Sequence, residues 1–516
     1  MLNRSITKKR EFNEFSKLVY EKLVPEDHFF YKVNELVDFS FVNDLCKGLY
    51  SKDMGRPAYP PEQIFRGSIV QFYFDLSDRK IEQEITYNIV AKWFIGLEVE
   101  DKSFDHTTIS KFRTMLGKKA FDKIFYKILE KIKEAGCISE DDILLADATH
   151  IIADVAVPTV SELIRQGSRK VLDTLKKIDP EIESKVKLET IYQKIMSRNE
   201  SKKQLMLIIK DAKILMAEAE LKLSDSSVSQ ELKTELRASI ELLCKLLREN
   251  VKEVQEKGKA TFVIERQVDK TASIVDQDAR NGVKSAGEGF CGYKANVNIT
   301  QDMFILNAQL EKGNSDESHS LIPMIDQNEK HGFRTNKAIG DGKYGTYSNL
   351  EECKKRGIQL ITSPRWARGP GGKEKFAPED FIYDEKNNSL TCPAGISAYS
   401  SRKHVEDKRF YFTKATCINC PINEKCIQKR AGRIVQVSKY FQLNKELREY
   451  RLTEDYKKDR NMREKVEAKF GEMKNWHGLR RARYRGLKRV AIQLSLISIV
   501  VNLKRFVKMR WRPTAS

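Results

Sequence analysis

Three acidic residues, far apart in the chain, have the setting of a divalent-metal site. Asp147 and Asp341 each follow a short apolar run that predicts a buried strand, and Glu467 lies in a predicted helix. Strand ends of this kind open on sites, and Mg²⁺ is held by a few hard oxygen ligands. Such ions support phosphodiester chemistry by activating the attacking oxygen and stabilising the leaving one. The alternative is that each acid is an ordinary cap or surface charge, which is the commoner role of a single aspartate at a strand end.

The residues around Glu467 favour the metal hypothesis. Arg463, Glu467 and Lys474 are separated by four and seven positions, and on a helix these steps place all three on one face. That face would carry a metal ligand between two cations suited to phosphate oxygens. The alternative for Arg463 and Glu467 is an intrahelical ion pair, which contributes only about 0.3–0.5 kcal/mol.

Four cysteines form a second candidate metal site. Cys417 and Cys420 have the C-x2-C spacing of a zinc knuckle, and Cys392 and Cys426 could complete a tetrahedral thiolate set. His404 is a substitute ligand. The alternative is a group of free or partly oxidised thiols. The other cysteines are isolated, and we expect them to be buried thiols.

A glycine-rich segment invites a different interpretation. Gly340, Gly342 and Gly345 have the G-x-G-x-x-G spacing of a dinucleotide-binding turn. That fingerprint requires an acid about 20 residues further on, at the end of the next strand. The next strand, IQLITSP, ends without one, and Asp341 would repel a pyrophosphate. We therefore expect no nucleotide cofactor.

The charge distribution indicates a polyanionic partner. The chain carries 93 basic and 73 acidic residues, a net charge of +20. After Glu472 there is no acidic residue, and twelve Lys and Arg follow between Lys474 and Arg512, Arg480 and Arg481 among them. A solvated helix face is the alternative, but such faces usually mix charges of both signs. A cluster of one sign favours DNA phosphates as the partner.

Targeting signals are lacking in the sequence. No apolar run reaches the roughly 18 residues of a membrane span, and the longest, Val490 to Val501, is interrupted by Gln493. The first residues contain no apolar segment of a secretory signal, and the nine thinly spread cysteines favour a reducing compartment. We expect a cytoplasmic, nucleoid-associated protein without membrane contact.

The periodicity of apolar residues divides the chain into regions. Residues 1–135 read as helices, with Asp105 as the N-cap of a basic helix that offers Lys111 and Arg113 to DNA. Residues 160–258 read as a helical hairpin or short coiled coil. A β-hairpin turning at 301–302 and a strand-helix-strand unit implying a parallel pair follow. Residues 365–440 read as irregular, and one long helix is predicted from Leu443 toward Lys474.

Taken together, these motifs resemble the DDE transposases of bacterial insertion sequences. Their signature around the third acid is Tyr-x2-Arg-x3-Glu-x6-Lys, which is matched from Arg463 to Lys474, while Arg460 stands at the tyrosine position. The similarity extends to Asp147-Ala-Thr, to Asp341-Gly-Lys-Tyr-Gly and to Asn502-Leu-Lys. It also includes the helical N-terminal region and the cysteine cluster.

The resemblance implies an α/β fold with a ribonuclease-H-like catalytic core. That core would comprise residues 140–159, 260–365 and 441–516, with a DNA-binding helical domain at 1–135, a helical insertion at 160–258 and a cysteine-rich insertion at 366–440. It implies that Asp147, Asp341 and Glu467 bind Mg²⁺ or Mn²⁺, that double-stranded DNA is the substrate, both as element ends and as target, and that the DNA-bound protein is a homodimer. The alternatives are a nuclease that joins no ends and a non-catalytic DNA-binding protein on the same fold.

Overall fold

A computed structural model describes most of the chain, and all structural statements refer to these residues. The described ranges are 11–50, 58–139, 143–192, 202–256, 259–265, 269–285, 287–362, 376–404, 407–426 and 432–511. Arg512, the last cation of the basic tail, lies outside them.

In the described part of the N-terminal region there are seven α-helices. They are α1 (Glu14–Leu23), α2 (Phe29–Leu36), α3 (Phe41–Cys46), α4 (Pro61–Tyr73), α5 (Asp78–Tyr87), α6 (Ile89–Ile95) and α7 (His106–Glu134). The side chain of Asp105 caps α7 by accepting a hydrogen bond from the Thr107 amide, as its position in the sequence predicts. Helix α7 is kinked at Gly117, whose φ of 65° is left-handed.

A central mixed sheet follows the helices. Its strands are β1 (Leu144–Ile152), β4 (Arg280–Ser285), β5 (Glu288–Thr300), β6 (Ile305–Lys312), β7 (Lys337–Gly340) and β8 (Gln359–Thr362). The strand order is β4-β5-β1-β7-β8. Strand β6 also pairs with β5, along residues 293–299, whereas β4 pairs with residues 288–292 of β5. Strand β5 is antiparallel to both β1 and β6, whereas β7 and β8 are parallel to β1. Strands β1, β6, β7 and β8 therefore end at the same side of the sheet, here called the carboxyl edge.

Helices cover this sheet and join it to the N-terminal region. They are α12 (Leu321–Lys330), α13 (Tyr347–Lys355), α15 (Phe441–Arg451), α16 (Glu454–Asn461), α17 (Arg463–Trp476) and α18 (Leu487–Arg510). The predicted long helix from Leu443 is wrong, because the chain breaks at Leu452–Thr453 and again at Met462. Thr453 starts α16 as an N-cap whose side chain accepts from the Tyr456 amide.

Helix α18 is the centre of the hydrophobic core. It packs against α4, α7 and β6, and the Asn502 side chain exchanges two 2.8 Å hydrogen bonds with the Ile305 backbone. The N-terminal helices, the sheet and α18 share one continuous core cluster. Within the described residues, α18 is the single helix that is long and apolar enough to cross a membrane, and 83% of its most apolar window is buried inside the protein. Its apolar character is thus accounted for by its position in the core.

A helical unit with its own core is inserted between β1 and β4. It consists of α8 (Val160–Ile178), α9 (Ile182–Lys185), α10 (Lys202–Ser224), α11 (Gln230–Asn250) and the antiparallel hairpin β2 (Val251–Glu256) and β3 (Lys259–Ile264). Its buried residues form a cluster separate from the main core. The predicted helical hairpin is therefore part of a larger bundle in which α8 packs against both α10 and α11.

A second inserted unit lies between β8 and α15. Its elements are β9 (Ile382–Asp384), β10 (Ser389–Thr391), β11 (Ser400–His404), β12 (Asp407–Tyr411), α14 (Lys414–Ile418) and β13 (Ile434–Val437). These form a two-stranded and a three-stranded sheet, where the sequence predicts irregular chain. The unit has a small core of its own, which includes Phe381, Phe410 and Val435.

Candidate active site

Two of the predicted acids lie side by side in the parallel pair β1–β7. Ala146 is in register with Gly340, so Asp147 lies beside Asp341, which directly follows β7. The prediction that Asp147 ends its strand is wrong, because β1 stays paired with β5 as far as Ile152. The Ala148 amide donates to Asp147 Oδ1 at 2.7 Å, and the Lys343 amide donates to Asp341 Oδ1 at 2.8 Å. These bonds leave the other carboxylate oxygens of both residues available for a ligand.

The electrostatics of Asp147 reflect this arrangement. Burial, together with the negative charges of Asp341 and Glu317, raises the pKa of the Asp147 carboxyl to about 6. The Ala148 amide and Arg463 act in the opposite direction. The side chain of Asp147 is only 19% exposed. A carboxylate held in such surroundings has a strong interaction with any cation that enters the site.

Helix α17 brings Arg463 to the acid pair. The Nη2 atom of Arg463 lies 3.9 Å from Asp147 Oδ2. The Nε atom of Arg463 is buried without a hydrogen-bond partner among the described residues. A buried guanidinium donor without a partner is costly, which points to a ligand that completes it.

The third predicted acid is on the same helix but is not yet part of a compact metal site. Glu467 follows Arg463 by one turn of α17 and is exposed. Glu82, Asp105 and His106 form a group in which all ligand atoms lie within 4.8 Å of one another. Among the described residues, no other group of three acidic, His or Cys side chains meets this distance. The carboxylates of Asp147, Asp341 and Glu467 therefore do not converge to that distance here.

A fourth acid, which the sequence analysis missed, lies beside the pair. Glu317 is in a short 3-10 helix after β6, and its side chain is only 7% exposed. Its Oε1 is 2.5 Å from Lys343 Nζ, and its Oε2 is 3.5 Å from Lys294 Nζ. The signal that could have identified Glu317 is the sheet topology, because Glu317 follows β6 and this strand runs in the same direction as β1 and β7.

The glycine-rich segment is explained by packing around Tyr344. A Cβ on Gly340 would lie 2.8 Å from the Tyr344 ring, and one on Gly345 would lie 2.6 Å from Thr362 Oγ1. Tyr344 is fully buried behind the acids, and burial raises the pKa of its hydroxyl well above the usual value. These close approaches require glycine whether or not a ligand binds.

Cations gather along β1 beyond the acids. The Arg480 carbonyl accepts a 3.1 Å hydrogen bond from the Ile152 amide, which fixes the start of the basic tail beside the end of β1. Lys474 is half-buried on α17, where burial and the charges of Arg480 and Lys284 lower its pKa. No carboxylate within ion-pair distance of Lys474 is found among the described residues. His150 lies among these cations, and burial lowers its pKa to about 4, so it is neutral near pH 7.

Other residues expected to contact DNA have different surroundings. Arg481 is exposed and lies 3.6 Å from Asp154, and Lys111 is exposed on α7. Arg113 does not fit the expectation, because its side chain is 6% exposed, forms an ion pair with Asp78 and packs on Tyr484. We therefore remove Arg113 from the DNA-contacting set.

The basic tail also serves two purposes. Arg483 forms an ion pair with Asp75 and donates to the Leu76 carbonyl, and thereby ties the tail to the N-terminal helices. Lys504 lies 2.8 Å from Glu472, and Arg505 donates to the Asp302 carbonyl. These cations hold the fold together, so only part of the basic tail is available to DNA phosphates.

The four cysteines of the candidate zinc site line one cavity. Cys392, Cys417, Cys420 and Cys426 all border it. Burial raises the pKa of the Cys426 thiol, and the three other sulfurs are near enough to raise it further. The residue types match the ligand chemistry of zinc. However, no three of these described sulfurs lie within 4.8 Å of one another, so the cysteines border one cavity without forming a compact tetrahedral set. The side chain of His404 lies outside the described residues.

The comparisons with known proteins agree with these features. A family described as a transposase domain matches residues 18–115, from α1 to α7. A second, described as a transposase DDE domain, matches residues 391–507, which include α17 and most of α18. No curated protein matches the chain. The two matches support the identification of the chain as a DDE transposase of an insertion sequence.

Proposed function

We propose that this transposase cleaves DNA at the ends of its element and joins the resulting 3′ hydroxyls to target DNA by metal-dependent phosphodiester transfer. One observation carries the proposal: Asp147 and Asp341 are neighbours on parallel strands, beside an arginine with a free donor. Hard carboxylate oxygens in this arrangement suit Mg²⁺ or Mn²⁺.

The fold supports a ribonuclease-H-like core. The strands of the sheet run in the order β6-β5-β1-β7-β8, with β5 antiparallel to its neighbours and β7 and β8 parallel to β1. The resemblance in the sequence implies this type of core, and the sheet has the corresponding mixture of an antiparallel half and a parallel half.

Each residue of the site has a defined role in the proposal. Asp147, Asp341 and Glu467 would hold the metal, which when bound supplies activation of the attacking oxygen and stabilisation of the leaving oxygen. Arg463 restrains Asp147 and presents a second donor to a phosphate oxygen. Glu467 is carried by the helix that already contacts β1, so it requires no new element to reach the pair.

The cations beyond the acids would bind the DNA backbone. Lys474 and Arg480 lie along β1 in the direction away from Asp147, with Lys284 of β4 nearby. His150, near which these cations lie, is three positions beyond Asp147 on β1, and at about 3.3 Å per residue this is about 10 Å along the strand. A phosphate one or two nucleotides from the reacting one would lie at that distance. Arg481 extends this surface, and Lys111 is the remaining candidate on the N-terminal helices.

The cysteine group would bind a structural Zn²⁺. The unit that holds it has few buried apolar residues, and units of this size commonly depend on a metal or on disulfides. All four cysteines are free thiols, the form that zinc requires after loss of the protons.

The test is a cleavage and joining assay on DNA that contains the ends of the coding element. Wild-type protein with Mg²⁺ should release 3′ hydroxyl ends and join them to a second duplex, whereas D147N, D341N and E467Q should do neither and should still bind the ends. E464Q is the matched control, since Glu464 is exposed on the same helix.

The same assay separates the alternatives. Cleavage without joining would identify a nuclease, and end binding without cleavage would identify a non-catalytic DNA-binding protein. Size measurement with and without end DNA tests the expected homodimer, which should form on the DNA.

A further inference from the structure

The buried acid Glu317 pairs with two lysines near the proposed metal ligands. It is shielded from solvent, and its two oxygens face Lys343 and Lys294 at 2.5 and 3.5 Å. Lys294 is additionally held by a 2.6 Å hydrogen bond to the Ser315 carbonyl. A buried carboxylate is usually retained only with such partners, because its desolvation would otherwise be costly.

Lys343 belongs to the same turn as Asp341. It is two residues further along, its backbone amide donates to Asp341 Oδ1 at 2.8 Å, and its side chain is 57% exposed. A lysine stem is flexible and carries a compact charge. Its ammonium can therefore reach several acids around this turn, and it forms a close contact with Glu317.

We propose that Glu317 is a positioning residue that holds the Lys343 ammonium away from Asp341, and so keeps the acid pair available to a divalent cation. The inference rests on the proposed function, in which that pair binds the metal. Glu317 itself contacts neither metal nor DNA in this proposal. Its effect on the reaction passes through the position of Lys343.

The proposal has a consequence with a definite sign. Without the negative charge of Glu317, Asp341 and Asp316 are the acids whose charges still act on Lys343, and an ammonium that moves to Asp341 competes with the metal. Removal of Glu317 alone should therefore weaken metal binding, and additional removal of the Lys343 charge should restore it. A general loss of structure would make the double variant at least as poor as the single one.

The experiment measures Mn²⁺ binding by the DNA-free full-length protein, by electron paramagnetic resonance and calorimetry, in E317Q, K343M and E317Q/K343M. E317Q should bind Mn²⁺ about tenfold more weakly than wild type, a typical size for coupling between neighbouring sites. K343M and the double variant should bind at least as tightly as wild type. E446Q, which breaks the 2.8 Å pair of Glu446 with Lys354 elsewhere, is the matched control and should change nothing.

The outcomes distinguish this inference from the proposed function. Mn²⁺ binding that D341N abolishes but E317Q leaves unchanged overturns the role of Glu317 alone. Absence of any binding that depends on Asp341 overturns both. If E317Q does not fold, K343M still decides the matter, because weaker binding in K343M contradicts competition by that lysine.

Discussion

The acid pair and the cysteine group are both candidate metal sites, but the fold positions them in different ways. Asp147 lies within β1 and Asp341 directly follows β7, its parallel neighbour in the central sheet, over a core shared with the N-terminal helices. The cysteines lie on turns and on the short α14 of a unit with a separate, small core. The acids are therefore held in place without a metal, whereas the cysteines have little else to hold them. A metal at the first site would supply chemistry, and a metal at the second would supply stability.

The largest expected effect concerns the acids. D341A should reduce DNA cleavage by about a thousandfold or more, since it removes a group on which the reacting centre depends. The melting temperature should stay within a few degrees of that of wild type, because the strands pair without the carboxylate. Cleavage rates and thermal unfolding measured on one preparation test this. A large loss of stability would remove the contrast between the two sites.

The cysteine group should show the reverse pattern. Wild-type protein should contain about one Zn²⁺ per chain, and C417S should lose most of it. The substitution should also lower the melting temperature and make the cysteine unit sensitive to protease. Elemental analysis and limited proteolysis measure these changes. The control is C244S, because Cys244 is a half-buried thiol in α11, away from the group. Full zinc content in C417S would refute the ligand assignment.

A smaller effect is expected from the cations beside the acids. K474A/R480A should weaken binding to any DNA duplex by roughly 10- to 100-fold and reduce the log–log salt slope by about 0.9 for each phosphate that is no longer neutralised. K457A is the control, since Lys457 is exposed but pairs with Glu454 on α16. Titrations at several salt concentrations test the prediction. An unchanged slope would mean that the DNA follows another path.

The smallest effect is the pH dependence of stability. The pKa of Asp147 is raised from 3.8 to about 6 in the folded protein, so the folded state binds the proton more tightly than the unfolded state does. The stabilisation that comes from this proton is fully present below the pKa of Asp147 in the unfolded state. It is lost as the pH rises through the pKa of Asp147 in the folded state. Relative to D147N, wild type should lose on the order of 1 kcal/mol between about pH 4 and pH 7. A constant difference in melting temperature over that range would contradict the shift.

The sequence predicts the parts of the site that are determined locally. Asp147 and Asp341 could be found because each terminates an apolar run, and the parallel pair β7–β8 because a helix separates two such runs. The break at Thr453 was also present in the sequence, since Thr453 is followed by Glu454 and Asp455, a typical helix start. The long helix was nevertheless predicted because helical periodicity continues across that break.

The remaining features depend on contacts between distant residues. Arg113 has the appearance of a DNA contact in the sequence, and only its ion pair with Asp78 reveals a structural role. Glu317 lies in a polar segment without a motif, and its importance follows from the lysines that fold around it. Neither partner could be identified from local spacing, because tertiary packing decides both.

Helix α18 has a consequence for shortened forms of the protein. It is surrounded by the N-terminal helices and the sheet, so a polypeptide that stops before Leu487 retains every proposed catalytic acid but lacks the surface on which its two halves meet. Such a product would expose the apolar faces of α4, α7 and β6 to aggregation and to cellular proteases. A frameshift or premature stop codon late in the gene would therefore remove the enzyme completely, and would not leave a partly active fragment able to bind the ends of the element and block the intact protein.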